Sequence, residues 1–217
     1  MKNRVNNELK LLVQRYPDLT ECSKSIETAF EILAEAYRSE GKLLIAGNGG
    51  SAADAEHIVG ELMKSFRMPR PVDIALADRI KAVSPEFGAA IADNIQGALP
   101  AIALTSHISL STAFQNDVEP LLAFAQQTYG LGRNGDVFLG ISTSGESRNV
   151  ICAAIVAKSI GMKIIGLTGA KDSSLAQLCD VCIKVPQTET YKIQELHLPV
   201  YHTLCLMLEE EFFGEEV

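Results

Sequence analysis

The sequence lacks several features that would assign it to a broad class of protein. It has no apolar run of the roughly 20 residues that a membrane-spanning helix needs. Its first residues, MKNRVNNELKLLVQRYPDL, lack the apolar core and the small-residue cleavage site of a signal peptide. The formal net charge is −8, so there is no broad basic surface for nucleic acid. These absences predict a cytoplasmic protein with no membrane or nucleic-acid partner, although a few local donors are enough to bind one phosphorylated small molecule.

Cysteine chemistry is also limited. The five cysteines include one CxxC, Cys179 and Cys182, with neither a second CxxC nor a histidine pair nearby. A structural zinc site would need one of these. We therefore predict reduced thiols that pack at the entry to the strand VCIKV.

Short apolar runs alternate with longer helical stretches along the 217 residues, of which 47% are hydrophobic. This size and composition predict a single domain over residues 1–217. The pattern predicts an α/β fold with a parallel sheet, helices on both faces and an N-terminal helical extension within residues 1–40. Predicted strands are 42–47, 100–105, 136–142, 163–169 and 181–186. Predicted helices are 4–15, 20–40, 51–66, 147–161 and 191–212.

Residues 69–99 do not follow this alternation. They are rich in proline and show no clear strand, although PEFGAAIADNIQGAL within them could form a helix. The segment is either a surface insertion or a flap over the site.

The first candidate phosphate loop is GNGGSAADAEH, Gly47 to His57, which leaves a strand and enters a helix. Its glycines permit tight turns, and a helix N-terminus favours an anion. The hydroxyl of Ser51 would either cap the helix or donate to a phosphate. The loop matches neither GxGxxG nor the P-loop pattern, so no nucleotide site is indicated.

The second candidate loop is ISTSGESRN, residues 141–149, at the next strand-to-helix junction. It presents Ser142, Thr143, Ser144 and Ser147 around Gly145. Capping would use one or two of these hydroxyls, not four. In a parallel sheet such loops gather at the carboxyl ends of the strands, so we predict that they bind one phosphate together.

Candidate chemical groups occur on two helices. His57 and Glu61 share one face of the helix after the first loop, as either a solvated pair or part of a site. The C-terminal helix carries Gln194 and His202, about 12 Å apart at 1.5 Å per residue. These two side chains could reach one metal or sugar only by leaning toward each other.

The chain resembles the sugar isomerase (SIS) domain family, and within it the bacterial phosphoheptose isomerases. The likeness covers nearly the whole chain and rests on GNGGSAADAEHIVGE (47–61), LPAIAL (99–104), Asn116-Asp117, GDVFLGISTSGESRNV (135–150), KIIGLTG (163–169) and KIQELH with His202. The resemblance implies a flavodoxin-like, five-stranded parallel sheet in a three-layer sandwich. It also implies a homotetramer with active sites at subunit interfaces.

The resemblance further implies an aldose–ketose isomerase that converts sedoheptulose 7-phosphate to D-glycero-D-manno-heptose 7-phosphate through an enediol. Glu61 and His202 would be the acid/base pair. Substrate-binding positions would be Asn48, Gly49, Gly50, Ser51, Asp117, Ser142, Thr143, Ser144, Ser147 and Gln194. Some members hold zinc, which here would be one ion per subunit on His57, Glu61, Gln194 and His202, an N/O set that suits zinc.

Two departures from the family pattern stand out. Residues 72–98 form an apparent insertion, and Tyr191 replaces an aspartate found in some members. The apolar content of the insertion predicts a mobile flap that orders over substrate, with a passive loop as the alternative. A second functional hypothesis is a non-catalytic SIS module that binds a protein, as the replication-initiator-associating type does, or senses a sugar phosphate. Such a module has no need of the complete Glu, His, Gln and His set.

Overall fold

Within residues 2–214, which the computed structural model describes, five short apolar strands form one parallel sheet. The strands are β1 Leu43–Ala46, β2 Ala101–Ala103, β3 Val137–Ile141, β4 Lys163–Thr168 and β5 Val181–Lys184. Their order in the sheet is β2-β1-β3-β4-β5. This is the flavodoxin-like order, with its switch point between β1 and β3. The predicted fold class is therefore confirmed.

Helices cover both faces of the sheet. They are α1 Asn3–Arg15, α2 Ser23–Arg38, α3 Gly50–Met63, α4 Ile74–Val83, α5 Gly88–Asn94, α6 Ile108–Asp117, α7 Ala123–Leu131, α8 Arg148–Ser159, α9 Ser174–Leu178 and α10 Thr190–Phe212. In the part of the chain described, none of them is long and apolar enough to cross a membrane.

Alternate strand residues build two separate apolar layers. Leu43 and Ile45 face a core shared with α1, α2, α3 and α10. Leu44 and Phe138 face the opposite core, which α8 completes with Ala153 and its neighbours. Burial on both faces explains why these strands read as continuous apolar runs instead of alternating polar and apolar residues.

A buried ion pair joins the end of α3 to α10. Arg70 and Glu209 have fully buried side chains and lie 2.9 Å apart. Arg70 also donates to the carbonyl oxygens of Leu62 and Glu61, at 2.9 and 3.1 Å. Glu209 also accepts from the backbone amide of Phe66 at 2.9 Å. Because these groups have partners, the pair can be buried and can fix the C-terminal end of α3.

Residues 72–98 form a helical hairpin that projects from the body. Helices α4 and α5 pack against each other, and Gly88 allows their close approach to the backbone at Lys81. The two ends meet at an antiparallel bridge between Pro71 and Gln96. α4 buries none of its residues, and Ile74 is 81% exposed. The predicted helix in this segment is present but is only Gly88–Asn94, and α4 was not predicted.

Several boundaries differ from the sequence-based prediction. Helix α2 begins at Ser23, not at residue 20, because Pro17–Cys22 forms a 3-10 helix. Helices α6 and α7, between β2 and β3, were not predicted. Cys179 and Cys182 are free thiols at the start of β5, as predicted, but both are half-buried instead of fully packed.

Candidate active site

The loop between β1 and α3 turns through Gly49. Its φ of 55° and ψ of −121° favour glycine over residues with a Cβ. Helix α3 then begins at Gly50 without a side-chain cap, and Ser51 is buried in the first turn. Ser51 is therefore not the helix cap that one interpretation allowed. Its position at a helix N-terminus suits a group that binds an anion.

The loop after β3 holds its hydroxyls close together. Ser142 Oγ and Ser147 Oγ are 2.9 Å apart, and the Gly145 amide donates to Ser142 Oγ at 3.1 Å. Gly145 has a φ of 69°, and a Cβ there would collide with Ser173. Ser144 Oγ accepts from the Glu146 amide at 3.1 Å. The Ser142 and Ser147 hydroxyls thus bond to each other and that of Ser144 bonds to the backbone, so a phosphate bound here would replace bonds within the loop.

An amide pair connects the two loops. The side chains of Asn48 and Asn149 exchange two hydrogen bonds, of 2.9 and 2.8 Å. Asn48 follows β1 and Asn149 lies in the first turn of α8, so the pair spans the switch point of the sheet. Sequence reasoning did not identify Asn149, although it lies only two residues after Ser147.

A cavity of about 230 Å³ opens beside the second loop. Thr143 and Ser144 line it together with Lys171, which follows β4, and Thr190 at the start of α10. Lys171 is a cation in this lining, which also includes the carboxylates of Glu146 and Asp172. Lys171 was not identified from the sequence. The only signal there was its position just after KIIGLTG, which places it at this edge of the sheet.

His57 and Glu61 meet on α3 as the spacing predicted. His57 Nε2 lies 3.1 Å from Glu61 Oε1, and Lys64 Nζ lies 3.3 Å from Glu61 Oε2. His57 Nδ1 lies 3.0 Å from the hydroxyl of Tyr201 on α10, which donates to Asp54 at 3.2 Å. Burial raises the pKa of Asp54, and the Tyr201 hydrogen bond opposes this rise. Neither Asp54 nor Tyr201 was identified from the sequence.

His202 lies beside this group. Its ring centroid is 5.0 Å from that of His57, and its buried Nε2 has no hydrogen-bond partner among residues 2–214. Burial is the main cause that lowers the pKa of His202, and the nearby His57 lowers it further. The ring also lines a cavity of about 530 Å³ with Arg15 and Tyr16. A neutral imidazole with a free nitrogen is suited to proton transfer.

The four predicted zinc ligands fit that metal by donor type. His57 and Glu61 are in contact, and the free Nε2 of His202 would be a further ligand. Gln194 lies against the start of α3, where a Cβ on Gly50 would collide with its amide. Among residues 2–214, however, no three His, Cys, Asp or Glu side chains are grouped so as to hold a metal ion. The zinc site therefore stays a prediction.

Asp117 is exposed at the C-terminal end of α6. Its carboxylate accepts a hydrogen bond from Asn116 at 2.8 Å, and α6 packs against α7. Its predicted contact with a sugar stays a prediction. Tyr191 is exposed near the start of α10, with the Lys192 amine 5.6 Å from its ring centre.

Known proteins resemble this chain over most of its length. Residues 98–208 and residues 12–98 match two models of the SIS domain. The phosphoheptose isomerase of Aneurinibacillus thermoaerophilus is 40% identical over 89% of this chain and 84% of its own length. The phosphoheptose isomerase of Geotalea daltonii is 41% identical over 90% of this chain and 88% of its own length.

A solved structure agrees with these sequence relatives. Phosphoheptose isomerase GmhA from Neisseria gonorrhoeae superposes with a TM-score of 0.70 at 32% identity, covering 93% of this chain and 91% of that one.

Proposed function

The chain belongs to the SIS domain family, and from this premise we propose that it is a phosphoheptose isomerase. The reaction is the conversion of sedoheptulose 7-phosphate to D-glycero-D-manno-heptose 7-phosphate. The observation that supports it most directly is the contact of Glu61 with His57, beside His202 with its free ring nitrogen. Named relatives of about 40% identity over most of the chain support the same activity.

An aldose–ketose isomerisation moves a proton between C1 and C2 through an enediol. It needs a base for the carbon-bound proton and an acid near the carbonyl oxygen. Glu61 and His202 have the right chemistry for these two roles, and positioned groups of this kind typically contribute about 10²–10⁴-fold each. The loops after β1 and β3 would hold the phosphate at the far end of the sugar. This would place the reacting carbons next to Glu61 and His202.

Zinc is a further proposal about the same residues. His57, Glu61, Gln194 and His202 would hold one ion per subunit, and such a cation polarises a carbonyl oxygen. Elemental analysis of the purified protein tests this proposal. About one zinc per chain supports it, and full activity in chelator without bound metal removes zinc from the mechanism.

We also propose that the protein works as a homotetramer in the cytoplasm, with active sites at subunit interfaces. The exposed apolar residues Ile108 and Tyr129 on α6 and α7 provide surface for subunit contacts. Light scattering at micromolar concentration tests the assembly, and a monomer that retains full turnover would contradict it.

Substitution of the acid/base pair tests the reaction. Glu61→Gln and His202→Ala should each lower turnover of sedoheptulose 7-phosphate by about 100-fold or more. Glu56→Gln is a matched control, because Glu56 lies on the same helix and its carboxylate is bonded to Thr105. Near-normal turnover in both site variants would refute the assignment.

A panel of C5–C7 sugar phosphates, assayed with the wild-type protein, tests the identity of the substrate. Inactivity on the whole panel would instead favour the non-catalytic module. A pull-down with the replication initiator would then examine that alternative.

A further inference from the structure

Cys179 and Cys182 bring their sulfur atoms together at one edge of the sheet. Cys182 lies on β5, the edge strand, and is paired in register with Gly166 of β4. A Cβ on Gly166 would lie 2.7 Å from Cys179 Sγ and 2.9 Å from Cys182 Sγ. Because a glycine in a strand leaves room for a close approach, the two sulfurs share the space that a side chain would otherwise fill.

The pair is also open to small molecules. Cys179 and Cys182 are both half-buried, and Asp180 between them is exposed. Cys22 and Cys205, by contrast, are only 2% and 1% exposed. Reaction with a reagent in solution requires an accessible sulfur, so the pair meets a condition that the two buried cysteines do not.

The two thiols differ in how readily they ionise. The Cys179 thiol donates to the Leu175 carbonyl oxygen at 3.1 Å, and it can turn to donate to Cys182 once that sulfur is ionised. This neighbour is the main cause that lowers the pKa of Cys182 to about 7, and the Thr168 hydroxyl at 3.5 Å and the Lys184 charge lower it further. Cys182 and burial together raise the pKa of Cys179. Since the thiolate is the nucleophile in thiol–disulfide exchange, Cys182 is suited to react first.

We propose that Cys179 and Cys182 are a redox-active dithiol, which closes to an intramolecular disulfide by exchange with a low-molecular-weight disulfide. The Cys182 thiolate attacks one sulfur of the oxidant, forms a mixed disulfide and releases one thiolate. Cys179 then attacks the Cys182 sulfur, and the second thiolate leaves. The protons of the two cysteines pass to the released thiolates, and the two electrons that the cysteines give up reduce the oxidant to two thiols. This activity uses none of the residues assigned to the isomerisation.

Oxidation of the folded, full-length protein with oxidised glutathione tests the proposal. The remaining thiols are then alkylated with iodoacetamide, and the protein is digested with trypsin. Trypsin cleaves after Lys171 and Lys184, so one peptide, residues 172–184, carries both cysteines. In mass spectra this peptide should be unalkylated and lighter by two hydrogens, and prior reduction with dithiothreitol should restore both alkylation sites.

Three serine variants assign the roles of the individual thiols. Cys179→Ser lacks the second nucleophile, so it should trap the mixed disulfide with glutathione on Cys182. Cys182→Ser should form at least about tenfold less adduct on Cys179, because the thiol that ionises more readily is gone. Cys152→Ser is the matched control, because Cys152 is also half-buried but lies on α8, and it should form the disulfide as the wild type does.

Two results would overturn the proposal. One is a wild-type peptide 172–184 that remains alkylated at both cysteines after treatment with the oxidant, as expected if the thiols only pack. The other is a folded Cys179→Ser protein without a glutathione adduct on Cys182. If Cys179→Ser does not fold, the mass of the wild-type peptide decides the question. None of these measurements depends on turnover, so the result is independent of the proposed isomerase activity.

Discussion

Acid should weaken the fold through His197. This residue on α10 is completely buried, and burial lowers the pKa of its ring from 6.5 to about 4. Below pH 6.5 the His197 ring binds a proton in the unfolded chain but not in the folded chain. The free energy of unfolding therefore falls as the pH drops from 6.5 toward 4. At about 1.36 kcal/mol per unit, the full loss is about 3 kcal/mol.

Urea unfolding of the wild type and His197→Leu, at one protein concentration and several pH values, measures this loss. Carboxylates also titrate in this range, but they are common to both proteins, so their effect cancels in the difference. Between pH 7 and pH 4, the unfolding free energy of His197→Leu minus that of the wild type should rise by about 3 kcal/mol. His107→Leu is the control, because the His107 ring is only partly buried and is bonded to Gln127 at 2.6 Å. Parallel stability curves for wild type and His197→Leu would refute the reasoning.

Three further predictions concern the surroundings of the site. Arg70→Met should cost about 3–5 kcal/mol of unfolding free energy, because it leaves the Glu209 charge buried without its partner, and calorimetry checks this. Lys171→Ala should raise KM for the sugar phosphate several-fold with little change in kcat, whereas Lys158→Ala should change neither. Replacing residues 73–95 by a Gly-Ser link, which keeps the Pro71–Gln96 bridge, should alter KM and kcat if the hairpin closes over substrate.

Each of these has a result that would contradict it. A cooperative, wild-type melting curve for Arg70→Met would mean that the ion pair is not needed for stability. Unchanged KM in Lys171→Ala would remove the lysine from phosphate binding. Unchanged kinetics in a folded protein without the hairpin would leave residues 72–98 as a passive insertion.

The sheet was predictable because its signal is local. Each strand is a short apolar run between turn residues, and the crossover rules then allow few arrangements. The hydroxyl loop was predictable for the same reason, since Ser142 and Ser147 are neighbours in sequence. Helices α6 and α7 were missed because residues 106–131 leave many apolar side chains exposed, which weakens the amphipathic pattern.

The long-range polar pairs could not be predicted from spacing. Arg70 and Glu209 are 139 positions apart, and Asn48 and Asn149 are 101 apart. Which charged residue is buried depends on how α3 and α10 pack, and a single sequence does not contain that information. The contacts of Tyr201 with Asp54 and His57 were hidden in the same way, because the sequence shows Tyr201 only as one more residue of a buried helix.

The bridge between Pro71 and Gln96 has a consequence for engineering. A segment whose two ends are joined by one residue pair can be lengthened with little loss of stability in the rest of the chain. The reason is that the entropic cost of closing a loop grows only slowly with its length. The hairpin is therefore a natural grafting point. An affinity tag, a fluorescent domain or a second binding module inserted between residues 83 and 88 should leave the positions of β2 and α3 unchanged.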